Sequence, residues 1–86
     1  MISKQVCITK FSSRRAVEFA KMAGQYRSKI HLKKDNATAD GKSVLGLMLM
    51  SIHNGMKITI EVEGSDEEEA MGLLAEFLEN KSNVVV

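Results

Sequence analysis

Two short polar segments of this 86-residue chain could bind or carry an anion. In the first, Ser43 directly precedes a run of apolar residues, VLGLMLM. In the second, the hydroxyl groups of Ser12 and Ser13 stand beside the guanidinium groups of Arg14 and Arg15. Serine often begins a helix, because its oxygen accepts a hydrogen bond from a free amide of the first turn. Both segments therefore predict a helix start, where free amides and the helix dipole favour a negative charge.

The two arginines allow two interpretations. Cations in the first turn oppose the helix dipole, at a cost of roughly a few tenths of a kcal/mol. Either both side chains are solvated and tolerated there, or the segment forms an anion-binding corner. We predict that corner from Ser12, Ser13 and Arg14, and we expect Arg15 to contribute less.

The other reactive side chains form no catalytic or metal-binding pattern. His31 falls on a predicted strand and His53 near the end of a predicted helix, without neighbouring ligands, and both are interpreted as solvated surface residues. Cys7 is the only cysteine and lies in a β-prone stretch, so we expect a reduced structural thiol. We predict no metal site, no cofactor and no catalytic residue.

Composition restricts the class of partner. The chain has 12 basic and 11 acidic residues and a formal charge of +1, whereas a nucleic-acid interface is expected to have a basic excess. No apolar run approaches the length of a membrane span. The segment MISKQVCITK has no apolar core or cleavage site, so no signal peptide is predicted. We expect a cytoplasmic protein that binds neither nucleic acid nor membrane.

Hydrophobic periodicity predicts seven elements around these segments, in the order β-α-β-β-α-β-α. The strands are predicted at about residues 2–9, 29–34, 37–40 and 57–63. The first helix follows Ser12-Ser13 and ends at Gly24. The second follows Ser43 and ends at Asn54-Gly55, where Gly55 takes the left-handed conformation.

The third helix is predicted to begin with a capping box that pairs Ser65 with Glu68. Gly72 lies inside this helix, and close packing is the one reason we can suggest for it. Lys81 falls in the predicted last turn, where a cation is favoured. The tail from Ser82 to Val86 is either a frayed end or an edge strand.

The second helix is apolar nearly all round, so either it is buried on every side or one face is left bare for a partner. Complete burial is hard to arrange in so short a chain. The predicted buried stripe consists of Leu47, Leu49, Met50 and Ile52. The predicted partner surface consists of Val44, Leu45 and Met48, with Arg14 added to it.

Four short strands cannot bury one face of a sheet alone, and three helices with one apolar side each can cover it. Short connections and a tight turn at Asp35-Asn36 favour antiparallel pairing. We predict an α+β fold, an open-faced β-sandwich with a four-stranded, mostly antiparallel sheet and three helices on one face. Residues 1–86 are predicted to form a single domain.

The order of elements, the length and two motifs resemble the HPr family of phosphocarrier proteins. KSVLGLM at Lys42–Met48 is similar to the family's regulatory serine and the helix after it. DEEEA at Asp66–Ala70 is similar to the start of its last helix. The resemblance covers about residues 5–81. It implies the sandwich fold, phosphorylation of Ser43 by a protein kinase, and docking of partners on the second helix.

The chain departs from the family at Gly-(apolar)-His-Ala-Arg-Pro-Ala, which aligns with KFSSRRA at Lys10–Ala16. Phe11 and Arg14 fit this pattern. Ser12 takes the place of the phosphorylated histidine, and Arg15 replaces the proline. An imidazole nitrogen accepts and releases a phosphoryl group readily, whereas a serine phosphate is far more inert. Ser12 is therefore not expected to act as a carrier.

The resemblance then implies a non-enzymatic regulatory protein of the phosphoenolpyruvate-dependent sugar phosphotransferase system or of carbon catabolite control. Ser43 would be its switch, and its partners would be a serine kinase or phosphorylase and a transcriptional regulator. No small-molecule substrate is expected. Two alternatives stay open: a phosphocarrier with an atypical acceptor, and an interaction module that has kept the fold but neither activity.

Overall fold

A computed structural model describes residues 1–79, and all seven predicted elements are present. The tail, predicted as an edge strand or a frayed end, and Lys81, predicted in the last turn of the third helix, lie outside the described residues. The strands are β1 (Ile2–Cys7), β2 (Lys29–Lys34), β3 (Ala37–Asp40) and β4 (Lys57–Glu63). The helices are α1 (Ser13–Gly24), α2 (Val44–Leu49) and α3 (Glu67–Glu79).

The four strands form one sheet in the order β1-β4-β2-β3, and every pairing is antiparallel. Alternation along β4 buries Ile58, Ile60 and Val62 on the helix side, as predicted. The turn between β2 and β3 has a left-handed residue, Asp35, with a φ of 54°. The predicted α+β open-faced sandwich with three helices is confirmed.

The core lies between the sheet and the helices. Helix α1 contributes residues at helical spacing: Ala16, Phe19, Ala20 and Ala23. Helix α3 contributes Ala70, Met71, Leu74, Ala75 and Leu78. Each helix thus buries one stripe, which fixes its rotation on the sheet and decides which side chains face solvent.

Helix α2 is shorter than predicted, and its end lies elsewhere. It has six residues and a cap at Met50, and the left-handed residue that follows is Ser51, with a φ of 55°. Gly55 does take a left-handed φ of 86°, but it stands in the turn before β4, where its amide donates to Ile8 O at 2.7 Å. The prediction that Gly55 ends the helix was wrong, because its hydrogen bond to Ile8, just after β1, holds that glycine in the turn before β4.

The start of α3 also differs from the prediction. The residue that reaches back is Glu67, whose Oε1 accepts from Gly64 N at 3.1 Å, so the predicted Ser65–Glu68 capping box was wrong. The carboxylate of Asp66 crosses to the loop before β2 and accepts from Arg27 N at 2.8 Å and Ser28 N at 3.0 Å. Tertiary contacts therefore set this helix start.

The suggested close packing at Gly72 was also wrong, because a Cβ built there meets nothing within 4 Å. The structure gives no reason for a glycine at this position.

Candidate functional site

Ser43 caps α2, as predicted. Its backbone is extended, with φ −108° and ψ 113°, and its Oγ accepts a hydrogen bond from Gly46 N at 3.0 Å. A Cβ on Gly46 would stand 3.3 Å from that oxygen, so glycine keeps the space beside the hydroxyl open. The residue is half-buried. The hydroxyl is therefore held at the head of the helix while one side of the residue still meets solvent.

The charges around Ser43 are mixed. The first turn of α2 contains no acidic residue. The backbone N–H of Lys42 donates to Asp40 Oδ1 at 2.9 Å, which places one carboxylate just before the serine. The Lys42 ammonium donates to Tyr26 O at 2.8 Å. An added negative charge at Ser43 would meet free helix amides, with Asp40 as the neighbouring anion.

The predicted partner surface is largely exposed. Leu45 is 67% exposed, Met48 is 45% exposed, and Val44 is half-buried. Leu47 is fully buried, as predicted, and Met50 and Ile52 are partly buried. Leu49, which we predicted in the buried stripe, is 75% exposed, so that prediction was wrong. Two residues correspond to about 200° around a helix, and this angle places Leu49 opposite Leu47.

A groove of about 220 Å³ runs between the start of α1 and helix α2. It is lined by residues from both: Phe11, Ser12, Ser13, Ala16, Leu47, Met48, Ser51 and Ile52. Both serines of the predicted anion-binding corner thus line the same groove as Met48. Arg14 is exposed, and Arg14, Val44 and Leu45 are not among the lining residues.

Ser12 is the N-cap of α1. Its Oγ accepts from Arg15 N at 3.3 Å, and its carbonyl accepts from Ala16 N at 3.0 Å. The preceding chain is fixed by two further bonds, from Thr9 N to Leu78 O at 3.3 Å and from Phe11 N to Asn54 Oδ1 at 3.0 Å. Ser12 therefore has a structural role in this state, and its hydroxyl already serves as an acceptor.

The Arg15 side chain is not solvated, as one of the two interpretations had it. Its Nη2 donates to Phe77 O in the last turn of α3 at 2.6 Å. Its guanidinium carbon lies 4.0 Å from the centre of the Phe77 ring, within the range of a cation–π interaction. A cation is unfavourable at the start of its own helix but favourable at the end of another. No local sequence pattern predicts this contact, because Phe77 lies 62 residues away from Arg15.

The remaining reactive residues stay apart. His53 is exposed, and His31 is half-buried on β2. Within residues 1–79, no group of three His, Cys, Asp or Glu residues could hold a metal ion. Cys7 is exposed on β1, outside the core. None of the helices described here is long and apolar enough to cross a membrane.

Comparison with known proteins places this geometry in a family. The family model described as the PTS HPr component phosphorylation site matches residues 6–80. The HPr-like protein Crh of Halalkalibacterium halodurans is 38% identical over 84 residues, which cover 94% of this chain and all of the relative. The Crh protein of Bacillus subtilis is 32% identical over 73 residues, which cover 85% and 86% of the two chains.

A solved structure agrees in fold. The phosphocarrier protein HPr from Bacillus anthracis superimposes with a TM-score of 0.86 at 35% identity, over 90% of this chain and 95% of its own. The matched proteins are thus HPr-like and phosphocarrier proteins.

Proposed function

The chain belongs to the HPr family, and on that premise we propose that it is a cytoplasmic regulatory protein, switched by phosphorylation at Ser43, that carries no phosphoryl group at Ser12. It acts as one HPr-like domain and catalyses no reaction itself. Its partners are a serine kinase or phosphorylase and a transcriptional regulator of carbon catabolite control. The proposed function resembles that of the two Crh relatives more than the phosphotransfer role of HPr.

One observation carries the proposal: Ser43 stands at the junction of a helix start and an exposed apolar surface. Its hydroxyl lies at the start of α2, and two exposed side chains follow it, Leu45 two residues later and Met48 five residues later. A kinase can approach the half-buried serine from the solvent side. A partner that contacts the exposed residues would meet the added phosphate in the same contact area.

Phosphorylation is expected to leave the fold intact. A phosphate adds about −1.5 to −2 charges, and the start of a helix tolerates negative charge. Its oxygens can form short charge-assisted bonds with an arginine of a partner, while Val44, Leu45 and Met48 supply apolar contact. The switch would thus change affinity rather than shape.

The chemistry of serine supports the proposal that Ser12 carries no phosphoryl group. A carrier must give up its phosphoryl group as readily as it accepts it, and an aliphatic phosphate ester does not. In addition, the Ser12 oxygen is engaged by Arg15 N. The residue is therefore better suited to hold the start of α1 than to relay phosphate.

The test compares binding before and after phosphorylation. The phosphorylated and unmodified proteins are titrated into a candidate transcriptional regulator from the same organism, with circular dichroism recorded on both forms. We expect tighter binding of the phosphorylated form and superimposable spectra. Equal affinities of the two forms, or loss of helix signal on phosphorylation, would contradict the proposal.

Two variants serve as matched controls. Ser43→Ala removes the acceptor and should bind like the unmodified protein, at a stability cost of about 1 kcal/mol for the lost cap. Ser43→Asp should imitate the phosphorylated form only in part, because a carboxylate has less charge and fewer acceptor oxygens.

A further inference from the structure

Arg15 makes two different contacts, one through its backbone and one through its side chain. Its amide donates to Ser12 Oγ at 3.3 Å. Its guanidinium donates to Phe77 O at 2.6 Å and lies 4.0 Å from the centre of the Phe77 ring. The first contact stays within the first turn of α1, and the second joins that turn to the end of α3.

The side-chain contact places a positive charge at the C-terminal end of α3. The described part of that helix has no basic residue in its last turn, so Arg15 brings a cation to the carbonyl end. The Phe77 ring in turn lies 6.1 Å from the ring of Phe19, which is fully buried in the core. Thr9 N also donates to Leu78 O. The last turn of α3 thus holds the segment on both sides of Ser12.

The backbone contact decides what the side chain at position 12 can do. An acceptor that receives the amide of the third helical residue is an N-cap. A serine oxygen keeps a second lone pair, whereas a neutral imidazole has a single acceptor nitrogen, so a histidine at position 12 that accepts this amide has no free lone pair for attack on phosphorus. A proline in place of Arg15 has no N–H, so the same side chain would keep that lone pair. The pattern of the HPr family has proline at this position, and this chain does not.

We propose that Arg15 is a positioning residue that commits position 12 to a structural cap. Its N–H draws the side chain of residue 12 into the first turn, and its guanidinium fastens that turn to α3. The inference deepens the half of the proposed function that concerns Ser12 and is independent of Ser43. It predicts two barriers to phosphate transfer in this chain: the absence of a histidine at position 12, and the contacts that Arg15 makes.

The cap is tested first in the protein as it exists. Amide hydrogen exchange is measured by NMR in the unmodified protein, in Ser12→Ala and in Ser13→Ala as the matched control. Loss of the Ser12 oxygen should speed exchange at the Arg15 amide, while loss of the neighbouring hydroxyl should not. Equal exchange rates at Arg15 in all three proteins would overturn the proposed cap.

The second test places an acceptor at position 12 and asks what Arg15 does to it. Three variants are compared: Ser12→His alone, Ser12→His with Arg15→Ala, and Ser12→His with Arg15→Pro. Each is incubated with phosphoenolpyruvate and the first enzyme of the phosphotransferase system, and acid-labile phosphate is measured over time. In the transfer step, the imidazole lone pair forms the new P–N bond while the bond between phosphorus and the donor atom of that enzyme breaks. The donor atom keeps that electron pair.

The alanine and proline variants differ in the N–H, since both lack the guanidinium. We expect Arg15→Pro to accept phosphate at least about fivefold faster than Arg15→Ala, the factor that corresponds to release of one ordinary hydrogen bond. The variant with Ser12→His alone should be the slowest, because it keeps both contacts. Proline is tolerated in the first turn of a helix, and circular dichroism checks that each variant is folded.

Equal rates in the alanine and proline variants would overturn the inference, and so would rapid phosphorylation of Ser12→His alone. Absence of phosphate from all three folded variants would also overturn it, since Arg15 would then not be the second barrier. None of these results depends on Ser43, whose phosphorylation uses a different residue and a different donor.

Discussion

Leu47 and Met48 are adjacent residues of α2 in opposite environments, and they provide a matched pair of substitutions. Leu47 is fully buried, whereas Met48 is 45% exposed. Leu47→Ala should lower the free energy of unfolding by about 2–5 kcal/mol, because it leaves a cavity in the core. Met48→Ala should cost less than about 1 kcal/mol, as surface substitutions usually do.

Urea denaturation measures both free energies, and a titration with the regulator measures the effect on binding. Met48→Ala should weaken the partner complex although the protein stays stable. If Met48→Ala cost as much stability as Leu47→Ala, Met48 would belong to the core and the proposed partner surface would fail.

Single residues also show where sequence reasoning succeeds. The caps at Ser12 and Ser43 could be predicted, because a cap involves partners three residues away. The contact of Arg15 with Phe77 could not be, because only the packing of α1 against α3 brings these residues together. The helix period alone would have predicted that Leu49 is exposed. The prediction failed because nearly every residue of the segment is apolar, so no single stripe stood out.

At the scale of elements, two glycines near α3 predict opposite effects of the same substitution. A Cβ on Gly64 would lie 2.5 Å from Ser28 Oγ and 2.6 Å from Ser28 Cα, and the backbone φ is 156°. Gly64→Ala should therefore destabilise the fold, by about 1–3 kcal/mol, because the loop before β2 must move. Gly72 lies inside α3 with open space around its Cα, so Gly72→Ala should stabilise by about 0.5–1 kcal/mol.

Thermal unfolding measures both effects: the melting temperature should fall for Gly64→Ala and rise for Gly72→Ala. An unchanged melting temperature for Gly64→Ala would show that Ser28 can move aside at little cost. A lower melting temperature for Gly72→Ala would show a constraint at that position which the described residues do not contain.

The boundaries of elements were harder to predict than their order. Strand periodicity identified β2, β3 and β4 with their observed limits, because alternation is a local property. The start of α3 was missed, since Asp66 bonds to Arg27 and Ser28 across the fold instead of capping its own helix. Ser65 and Glu68 have the spacing of a capping box, but the long-range contact of Asp66 determines where α3 begins.

The whole molecule is expected to lose stability in acid, because the ionised carboxylate of Asp66 contributes to its free energy of unfolding. Hydrogen bonds from the Ser28 hydroxyl, and then from Arg27 N, hold the pKa of this carboxyl below its ordinary value. Its contribution to folding is therefore complete above the unfolded pKa and disappears as the pH falls through the folded pKa, below about pH 4. Glu67 acts in the same range, because the hydrogen bond from Gly64 N lowers the pKa of its carboxyl.

Asp66→Asn tests this prediction by urea denaturation at pH 7 and at pH 3. The variant should be less stable than the unmodified protein at pH 7, and the difference should shrink at pH 3, where the carboxylate is protonated in the unfolded chain. Glu68→Gln, at an exposed position two residues further on, is the matched control for the loss of one negative charge from this helix start. A difference between Asp66→Asn and the unmodified protein that stays constant with pH would contradict the assignment.

We propose that this HPr-family protein receives phosphate on Ser43 and carries none at position 12. The most direct measurement treats the unmodified protein with each donor in turn: a serine kinase of the family with ATP, and phosphoenolpyruvate with the first enzyme of the phosphotransferase system. Mass spectrometry then locates the phosphate, with Ser43→Ala as the control. We predict one acid-stable phosphate on Ser43 with the kinase, none in Ser43→Ala, and no acid-labile phosphate with phosphoenolpyruvate. An acid-labile phosphate on the unmodified protein, or a kinase reaction that leaves Ser43 unmodified, would contradict the account.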